Sequence, residues 1–275
     1  MALLRNVTKC MEKIAPLKLA EAAWDNVGLL VEAPFPRQGN SVFLTIDLTQ
    51  PVLEEALRDP KIGVIVSYHP PLFRSIKRLT LSDDKQAIAL RCAASGVSVF
   101  SPHTSLDNCT SGITDWLASG LGEGVTSVIN KIDNPPEGHE GSGSGRIHTL
   151  SQPISLTELV ERIKKHLGLK HVRLARAPEH GLDATISTIA MCPGSGSSVL
   201  CDTKADVYFT GEMSHHEVLA SIASKTSVVL CEHTNTERGF LAAVLQPRLQ
   251  SLLRESDKDA TVVCSTVDKD PLEIV

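Results

Sequence analysis

The chain has 275 residues, a formal net charge of −5, 42% hydrophobic residues and 21% charged residues. This composition is typical of a globular protein with one large domain or two lobes, and it excludes a disordered chain. The negative charge argues against a strongly basic nucleic-acid surface, and no apolar run approaches the ~18–20 residues of a membrane span.

The seven cysteines are scattered through the sequence and include no CxxC pair. Their odd number and irregular spacing argue against a disulfide framework and against a cysteine-ligated structural zinc site. We therefore expect a reducing compartment, with most of the cysteines serving as small core residues.

The N-terminal segment predicts an amphipathic helix, because apolar residues recur at helical spacing at Leu4, Val7, Met11 and Ile14. The segment has no apolar stretch long enough for a secretory signal. Its basic residues leave a weak mitochondrial presequence as an alternative. The expected location is therefore cytoplasmic, with the mitochondrion as the second choice.

Short β-branched runs alternate with amphipathic stretches along the rest of the chain, which predicts an α/β fold. The predicted strands are Val42–Ile46, Gly63–Ser67, Val97–Ser101, His171–Ala175, Ile186–Met191, Asp206–Thr210, Val228–Cys231 and Thr261–Cys264. The predicted helices are Pro51–Leu57, Lys85–Ser95, Ile113–Leu121, Leu156–Leu167, Ser214–Ser224 and Thr236–Arg254. Ser155 and Glu158 form an S-x-x-E capping box at the start of the fourth helix.

A segment rich in proline, glycine and serine, Asn134–Gly145, interrupts this alternation. Such a composition buries little and favours a mobile linker. We therefore predict an N-terminal α/β lobe over residues 1–132, a flexible linker over 133–145 and a C-terminal α/β lobe over 146–275.

The two predicted lobes share a weak sequence repeat. The matched segments are Phe43–Ala56 with Tyr208–Ser221, and Val64–Pro70 with Val228–Thr234. In each lobe an acid follows one strand and a histidine follows the next: Asp47 precedes His69 by 22 residues, and Glu212 precedes His233 by 21. We predict two similar lobes related by a pseudo-twofold axis, with a site that takes ligands from both.

Four polar clusters follow the ends of predicted strands, where open α/β sheets build their sites. They contain Tyr68 and His69; His103 and Asp107; Glu212, His215 and His216; and His233 and Glu237. Imidazole and carboxylate groups without a thiolate suit Zn, Mn, Fe or Ni. Structural roles are equally open for single residues, since a histidine at a sheet rim can bond to backbone and Asp107 can cap the next helix.

Two further features have alternative interpretations. His233 and Glu237 stand four residues apart, as on one face of a helical turn, and can chelate one ion. Glu212 is expected either to accept a hydrogen bond from a substrate or to orient a metal ligand. The Cys192–Ser198 segment predicts either a tight turn that requires glycine or a nest of backbone N–H groups for an anion.

Six motifs, in order along the chain, resemble the Nif-three-like family, also called GTP cyclohydrolase type 2 homologues. They are Trp24–Leu29 and the sequences SYHPPLF, SPHTSLD, PGSGSS, TGEMSHHE and CEHTNTERG. The resemblance extends from about residue 20 to the C-terminus, and the chain is similar to compact eukaryotic members that have no inserted central domain.

The resemblance implies a dinuclear metal cleft between two α/β lobes and a homo-oligomer, commonly a toroidal hexamer. The metal ligands that it implies are His69, Asp107, His233 and Glu237. It also makes His103 and Glu212 the catalytic candidates in the cleft. Tyr68 stands where many bacterial members have a further histidine, and a phenol of pKa near 10 is a poor ligand. One or two divalent ions per chain are therefore expected, with Zn, Mn, Fe and Ni not distinguished.

Two functions are hypotheses at this point. A metal-dependent hydrolase of a small anionic or nucleotide-like substrate is favoured by the polar residues at the strand ends. The alternative, implied by the resemblance, is a metal-binding regulatory or scaffold protein that interacts with transcriptional regulators, and metal storage or delivery is a third. Neither a membrane nor a nucleic acid is expected as a partner.

Overall fold

A computed structural model describes residues 2–275 and confirms the α/β class, with eleven strands in two sheets over that range. The strands β1 to β11 are Gly28–Val31, Ser41–Thr45, Ile62–Ser67, Ser98–Ser101, Gly124–Lys131, Gly143–Ser155, Arg173–Ala175, Thr185–Ser195, Val207–Glu212, Ser227–Leu230 and Thr261–Cys264. The helices α1 to α10 are Ala2–Ile14, Gln50–Arg58, Asp84–Ala94, Thr104–Asn108, Ile113–Ser119, Leu156–Leu167, Ser197–Leu200, His215–Ala223, Arg238–Phe240 and Gln246–Arg254. Among these described residues, no helix combines the length and apolar character needed to cross a membrane.

The chain divides into two compact units. The first comprises the chain up to Leu106 together with Phe240–Lys269, and the second comprises Asp107–Gly239 together with Asp270–Val275. This division differs from the predicted boundary at residues 133–145. Strand β11 pairs in parallel with β2, which places the C-terminal strand in the first unit. The predicted linker instead connects β5 to β6, which are antiparallel neighbours in the second unit.

The first unit is built on a five-stranded sheet in the order β1-β4-β3-β2-β11. All neighbouring pairs are parallel except β1 with β4. Helices α2 and α3 contribute Val52, Leu53 and Ile88 to a core that also contains Phe43 and Ile65 of the sheet. The predicted first helix is confirmed as α1, which buries apolar residues and packs against β3 and α10.

The second unit is built on a six-stranded sheet in the order β5-β6-β8-β9-β10-β7. Strands β8, β9 and β10 are parallel, and the remaining pairs are antiparallel. Helix α6 has the predicted bounds, and the Ser155 side chain accepts a hydrogen bond from the Glu158 backbone N–H, which is one half of the predicted capping box. The Glu158 side chain instead accepts from Arg162. The buried face of α6, Leu156, Leu159 and Ile163, joins the core on one side of the sheet.

The predicted helix over Thr236–Arg254 is instead divided. A 3₁₀ turn at Thr234–Thr236 is followed by α9, a π-helical stretch at Leu241–Leu245 and α10. Pro247, at the start of α10, has no backbone N–H to complete the hydrogen bond four residues back, which accounts for the wider turn before it. Helical periodicity continues through such a change, so the sequence pattern does not reveal it.

Each unit contains a parallel β–α–β element with the same placement of polar residues. These elements are β2–α2–β3 in the first unit and β9–α8–β10 in the second. Glu212 is the last residue of β9, Asp47 lies two residues after β2, and a histidine follows the second strand of each element, as the sequence repeat predicts. Because the strands are parallel, their carboxyl ends lie at one edge of the sheet, where acid and histidine can meet.

Candidate metal centre

In the second unit, His233 and Glu237 flank the 3₁₀ turn that follows β10. His233 Nε2 lies 3.5 Å from Glu237 Oε1. Glu237 is only 1% exposed, whereas the side chain of His233 is 35% exposed. The four-residue spacing therefore brings a ring nitrogen and a buried carboxylate together at the boundary between protein and solvent.

Glu212, at the end of β9, orients the ring of His233. Its Oε1 lies 2.8 Å from His233 Nδ1. An ionised carboxylate only accepts hydrogen bonds, so the Nδ1–H donates, and Nε2 carries the lone pair in the form of the ring that can coordinate a metal. A carboxylate that fixes the tautomer of a histidine in this way is the usual support of a metal-binding imidazole. Of the two roles predicted for Glu212, the geometry matches that of orienting a ligand.

The separation of His233 Nε2 and Glu237 Oε1 fits two ligands of one cation. A lone pair and a carboxylate oxygen at 3.5 Å repel each other unless a proton or a metal ion lies close to both. At metal–ligand distances of ~2.0–2.1 Å, two ligand atoms of a tetrahedral ion stand about 3.4 Å apart. A direct hydrogen bond would be shorter, at about 2.7–3.2 Å. The pair therefore has the spacing and the donor types of a metal site.

Gly194 packs against this pair from the end of β8, where the pairing with β9 shifts register. It has a φ of +58°, and a Cβ at this position would lie 2.7 Å from His233 Nε2 and 2.8 Å from Glu237 Oε1. Its N–H donates to Thr236 Oγ1 at 2.8 Å, and its carbonyl accepts from Thr210 Oγ1 at 3.1 Å. The positive φ and the close approach confirm that glycine is required here, but Gly194 lies in an irregular part of β8 and not in the predicted tight turn. Its position beside the two candidate ligands depends on packing between distant segments and has no signal in the sequence.

In the first unit, Asp47 supports His69 as Glu212 supports His233. Asp47 Oδ1 lies 3.0 Å from His69 Nδ1, so the same tautomer is favoured. Tyr68 is buried, with its ring centroid 4.9 Å from that of His69. Asp47 was not predicted as a site residue, although its spacing to His69 was the available signal.

His103 lies beside His69 and is held by a buried carboxylate. The two ring centroids are 5.4 Å apart, and His103 Nδ1 lies 2.7 Å from Asp25 Oδ1. Burial alone would raise the pKa of Asp25, but hydrogen bonds from His103 and Thr104 outweigh it and lower that pKa. Asp25 is therefore ionised at neutral pH and His103 Nδ1 is the donor. The backbone of His103 has a φ of +33°, which is uncommon for a residue with a side chain.

Of the four predicted ligands, His233 and Glu237 lie together in the second unit, and His69 follows β3 in the first unit. Asp107 lies in α4, where its backbone carbonyl accepts a hydrogen bond from Thr114 Oγ1 at 2.9 Å. Its role as a ligand stays a prediction. Burial raises the pKa of Cys231 to about 12, so this neighbouring sulfur is a protonated core thiol at neutral pH.

Comparison with known proteins matches the chain to one family over almost its whole length. A family model described as Duf34/NIF3 (NGG1p interacting factor 3) matches residues 2–271. The chain is 47% identical to the protein NIF3 homolog of Schizosaccharomyces pombe, over 96% of this chain and 95% of that protein. It is 37% identical to NGG1-interacting factor 3 of Saccharomyces cerevisiae, over 99% and 97%. The crystal structure of a Bacillus cereus protein related to NIF3 has the same fold, with a TM-score of 0.79 and 20% identity over 98% of both chains. The chain therefore belongs to the Duf34/NIF3 family, as its six motifs predict.

Proposed function

We propose that the protein is a metal-dependent hydrolase of a small anionic, nucleotide-like substrate, and that His69, His233 and Glu237 hold the ion. The observation that carries this proposal is the 3.5 Å approach of His233 Nε2 to the buried Glu237 Oε1. The space beside them is one that a Cβ on Gly194 would fill. Two imidazoles and one carboxylate are a common ligand set of catalytic zinc, and they leave a position for water or substrate.

The side chains around the proposed ligands have separate tasks. When bound, a divalent ion supplies Lewis-acid polarisation of a substrate oxygen and lowers the pKa of a water molecule. Asp47 and Glu212 each keep a histidine in the tautomer whose Nε2 can coordinate. His103, fixed at Nδ1 by Asp25, can take up or release a proton at Nε2 and is the proposed proton carrier. Glu212, whose side chain is 47% exposed, is the second candidate for that role.

Asp107 is the proposed ligand of a second ion. The resemblance to dinuclear family members supports this assignment, whereas the phenol of Tyr68 in place of a second imidazole argues for a single ion. Metal stoichiometry therefore separates the two forms of the proposal.

A regulatory role is the second candidate. The Saccharomyces cerevisiae relative carries the name NGG1-interacting factor 3, which describes a protein partner. Under this proposal the chain, as a homo-oligomer, binds a transcriptional regulator through a surface distinct from the metal ligands. Partner binding should then survive a substitution that removes the metal.

The metal proposal is tested by elemental analysis of protein purified without chelator or a nickel column. We expect one equivalent of a divalent metal per chain, or two if Asp107 completes a second position, and loss of the metal in His233→Ala/Glu237→Ala. His215→Ala/His216→Ala is the matched control, because these exposed histidines lie on α8 of the same unit. A wild-type protein with no metal, even after reloading, would overturn the proposal.

The reaction is tested with the metal-loaded protein and p-nitrophenyl phosphate or nucleoside phosphates as substrates. Glu237→Gln keeps the side-chain volume but removes the charge, so turnover should be abolished while circular dichroism is unchanged. If metal binds and no phosphate ester is hydrolysed, the hydrolase proposal fails and the regulatory candidate takes its place.

A further inference from the structure

The first unit exposes two aromatic rings next to the histidines of the site. Trp24 is 55% exposed and Phe73 is 45% exposed, and their ring centroids are 6.2 Å apart. Both contact His103, at centroid distances of 6.0 and 6.2 Å. His103 in turn lies 5.4 Å from His69. A continuous series of ring contacts therefore connects a proposed metal ligand to the two solvent-exposed rings.

The two exposed rings are held in a fixed arrangement. The side-chain amide of Asn26 donates to the carbonyl of Leu72, which ties together the two loops that carry the rings. Asp25, adjacent to Trp24, has a fully buried side chain that is bonded to His103. Aromatic residues make up only 4% of the chain, so two large rings exposed at one place are a notable share of them. Neighbouring exposed apolar side chains that form a patch are a feature of ligand-binding and interaction sites.

The segment that carries Phe73 is also basic. Arg74, Lys77 and Arg78 are exposed, and no acidic residue occurs between Pro70 and Ser82. The chain as a whole has a net charge of −5, so this segment is a local positive region. It would attract an anionic group to the edge of the aromatic surface.

We infer that Trp24, Phe73 and Arg74 form the recognition surface for the substrate, and that the substrate is a small molecule in which a planar aromatic ring is joined to a phosphate. The ring stacks on the exposed aromatic side chains, and the guanidinium of Arg74 pairs with the phosphate. The inference rests on the proposed function for the reaction that follows. Binding itself uses residues of the first unit alone, which allows the two to be tested separately.

The test is isothermal titration calorimetry on the full, chelator-treated chain with AMP, phenyl phosphate, ribose 5-phosphate and adenosine. We expect both ring-bearing phosphates to bind about tenfold or more tightly than ribose 5-phosphate, the gain usual for one stacked ring. Trp24→Leu should remove this preference. Arg74→Gln should weaken every phosphate and leave adenosine unchanged. Phe35→Leu is the matched control, because Phe35 is an 87% exposed aromatic residue in the same unit.

Equal affinity for AMP and phenyl phosphate would show that the aromatic ring is the recognised group. Tighter binding of AMP would show that the surface also recognises the rest of the nucleoside. The inference is overturned if the ring-bearing phosphates bind no better than ribose 5-phosphate, or if Trp24→Leu leaves their advantage intact. It is also overturned if Trp24→Leu changes the sedimentation coefficient but no phosphate affinity, because the rings would then contact a second copy. If the protein binds no metal but still prefers ring-bearing phosphates, the proposed function is refuted and the inference about ligand recognition stands.

Discussion

Replacing Gly194 by alanine is the most direct perturbation of the candidate metal centre. The added Cβ would lie 2.7 Å from His233 Nε2, so that nitrogen must retreat by about 0.7 Å to reach an ordinary contact near 3.4 Å. Metal sites tolerate departures of only about 0.2 Å from ideal ligand distances. We therefore expect Gly194→Ala to weaken metal binding by at least the ~10–100-fold that follows loss of a supporting residue. The positive φ of +58° adds ~1–2 kcal/mol of lost stability.

The measurement is competition for the metal between the protein and a chromogenic chelator, together with urea denaturation. Gly168→Ala is the matched control, because Gly168 also has a positive φ, +70°, but nothing lies within 4 Å of its Cβ position. The control should lose similar stability and keep wild-type metal affinity. If Gly194→Ala binds metal as tightly as the wild type, His233 Nε2 and Glu237 Oε1 are not the ligand atoms and the reasoning is refuted.

Two further predictions concern carboxylates. Glu212→Gln is expected to weaken metal binding ~10–100-fold because the amide no longer fixes the tautomer of His233. The same chelator competition measures this loss of affinity. The control is Glu232→Gln, which removes a carboxylate paired with Arg173 and should leave the metal affinity unchanged. Burial would raise the pKa of Glu55, but hydrogen bonds from Ser265 and Thr266 outweigh burial and lower that pKa. The ionised carboxylate therefore stabilises the fold at neutral pH, and this stabilisation is lost as the pH falls from about 4.3 through the folded-state pKa. Urea denaturation at pH 7 and pH 3 should therefore show a smaller acid loss in Glu55→Gln than in the wild type, and an equal loss would contradict the assignment.

Local sequence signals determined several elements of this fold. Helix α6 has its predicted bounds because its start depends on Ser155 and its own first turn, and its buried face follows the 3.6-residue period. Strands β2, β3, β10 and β11 were predicted within a residue at each end. The first three are covered on both faces and form continuous apolar runs, whereas β11 is a partly exposed edge strand. By contrast, β5 was not predicted, because most of its residues are exposed and it lacks an apolar pattern.

The candidate site was predicted only in part, because only its local features can be read from the sequence. The histidines and acids that follow strand ends are visible in the sequence, and the matched spacing of Asp47–His69 and Glu212–His233 predicted a repeat between the lobes but not a contact between acid and histidine. The structure contains both pairs. The roles of Asp47 and Asp25 became clear only from the structure, in which Asp47 bonds to His69 and Asp25 to His103.

Contacts between segments far apart in the chain were decided by the tertiary structure alone. The pairing of β11 with β2 joins residues 220 positions apart, so the division into units could not follow from the composition of residues 133–145. The placement of Gly194 against His233 and Glu237 likewise depends on how β8 and the turn after β10 pack together. The sequence by itself determined the family, the α/β class and the residue types of the candidate ligands, because motifs, periodicity and residue types are local. Only the fold decided which atoms face one another, because those distances are set by packing.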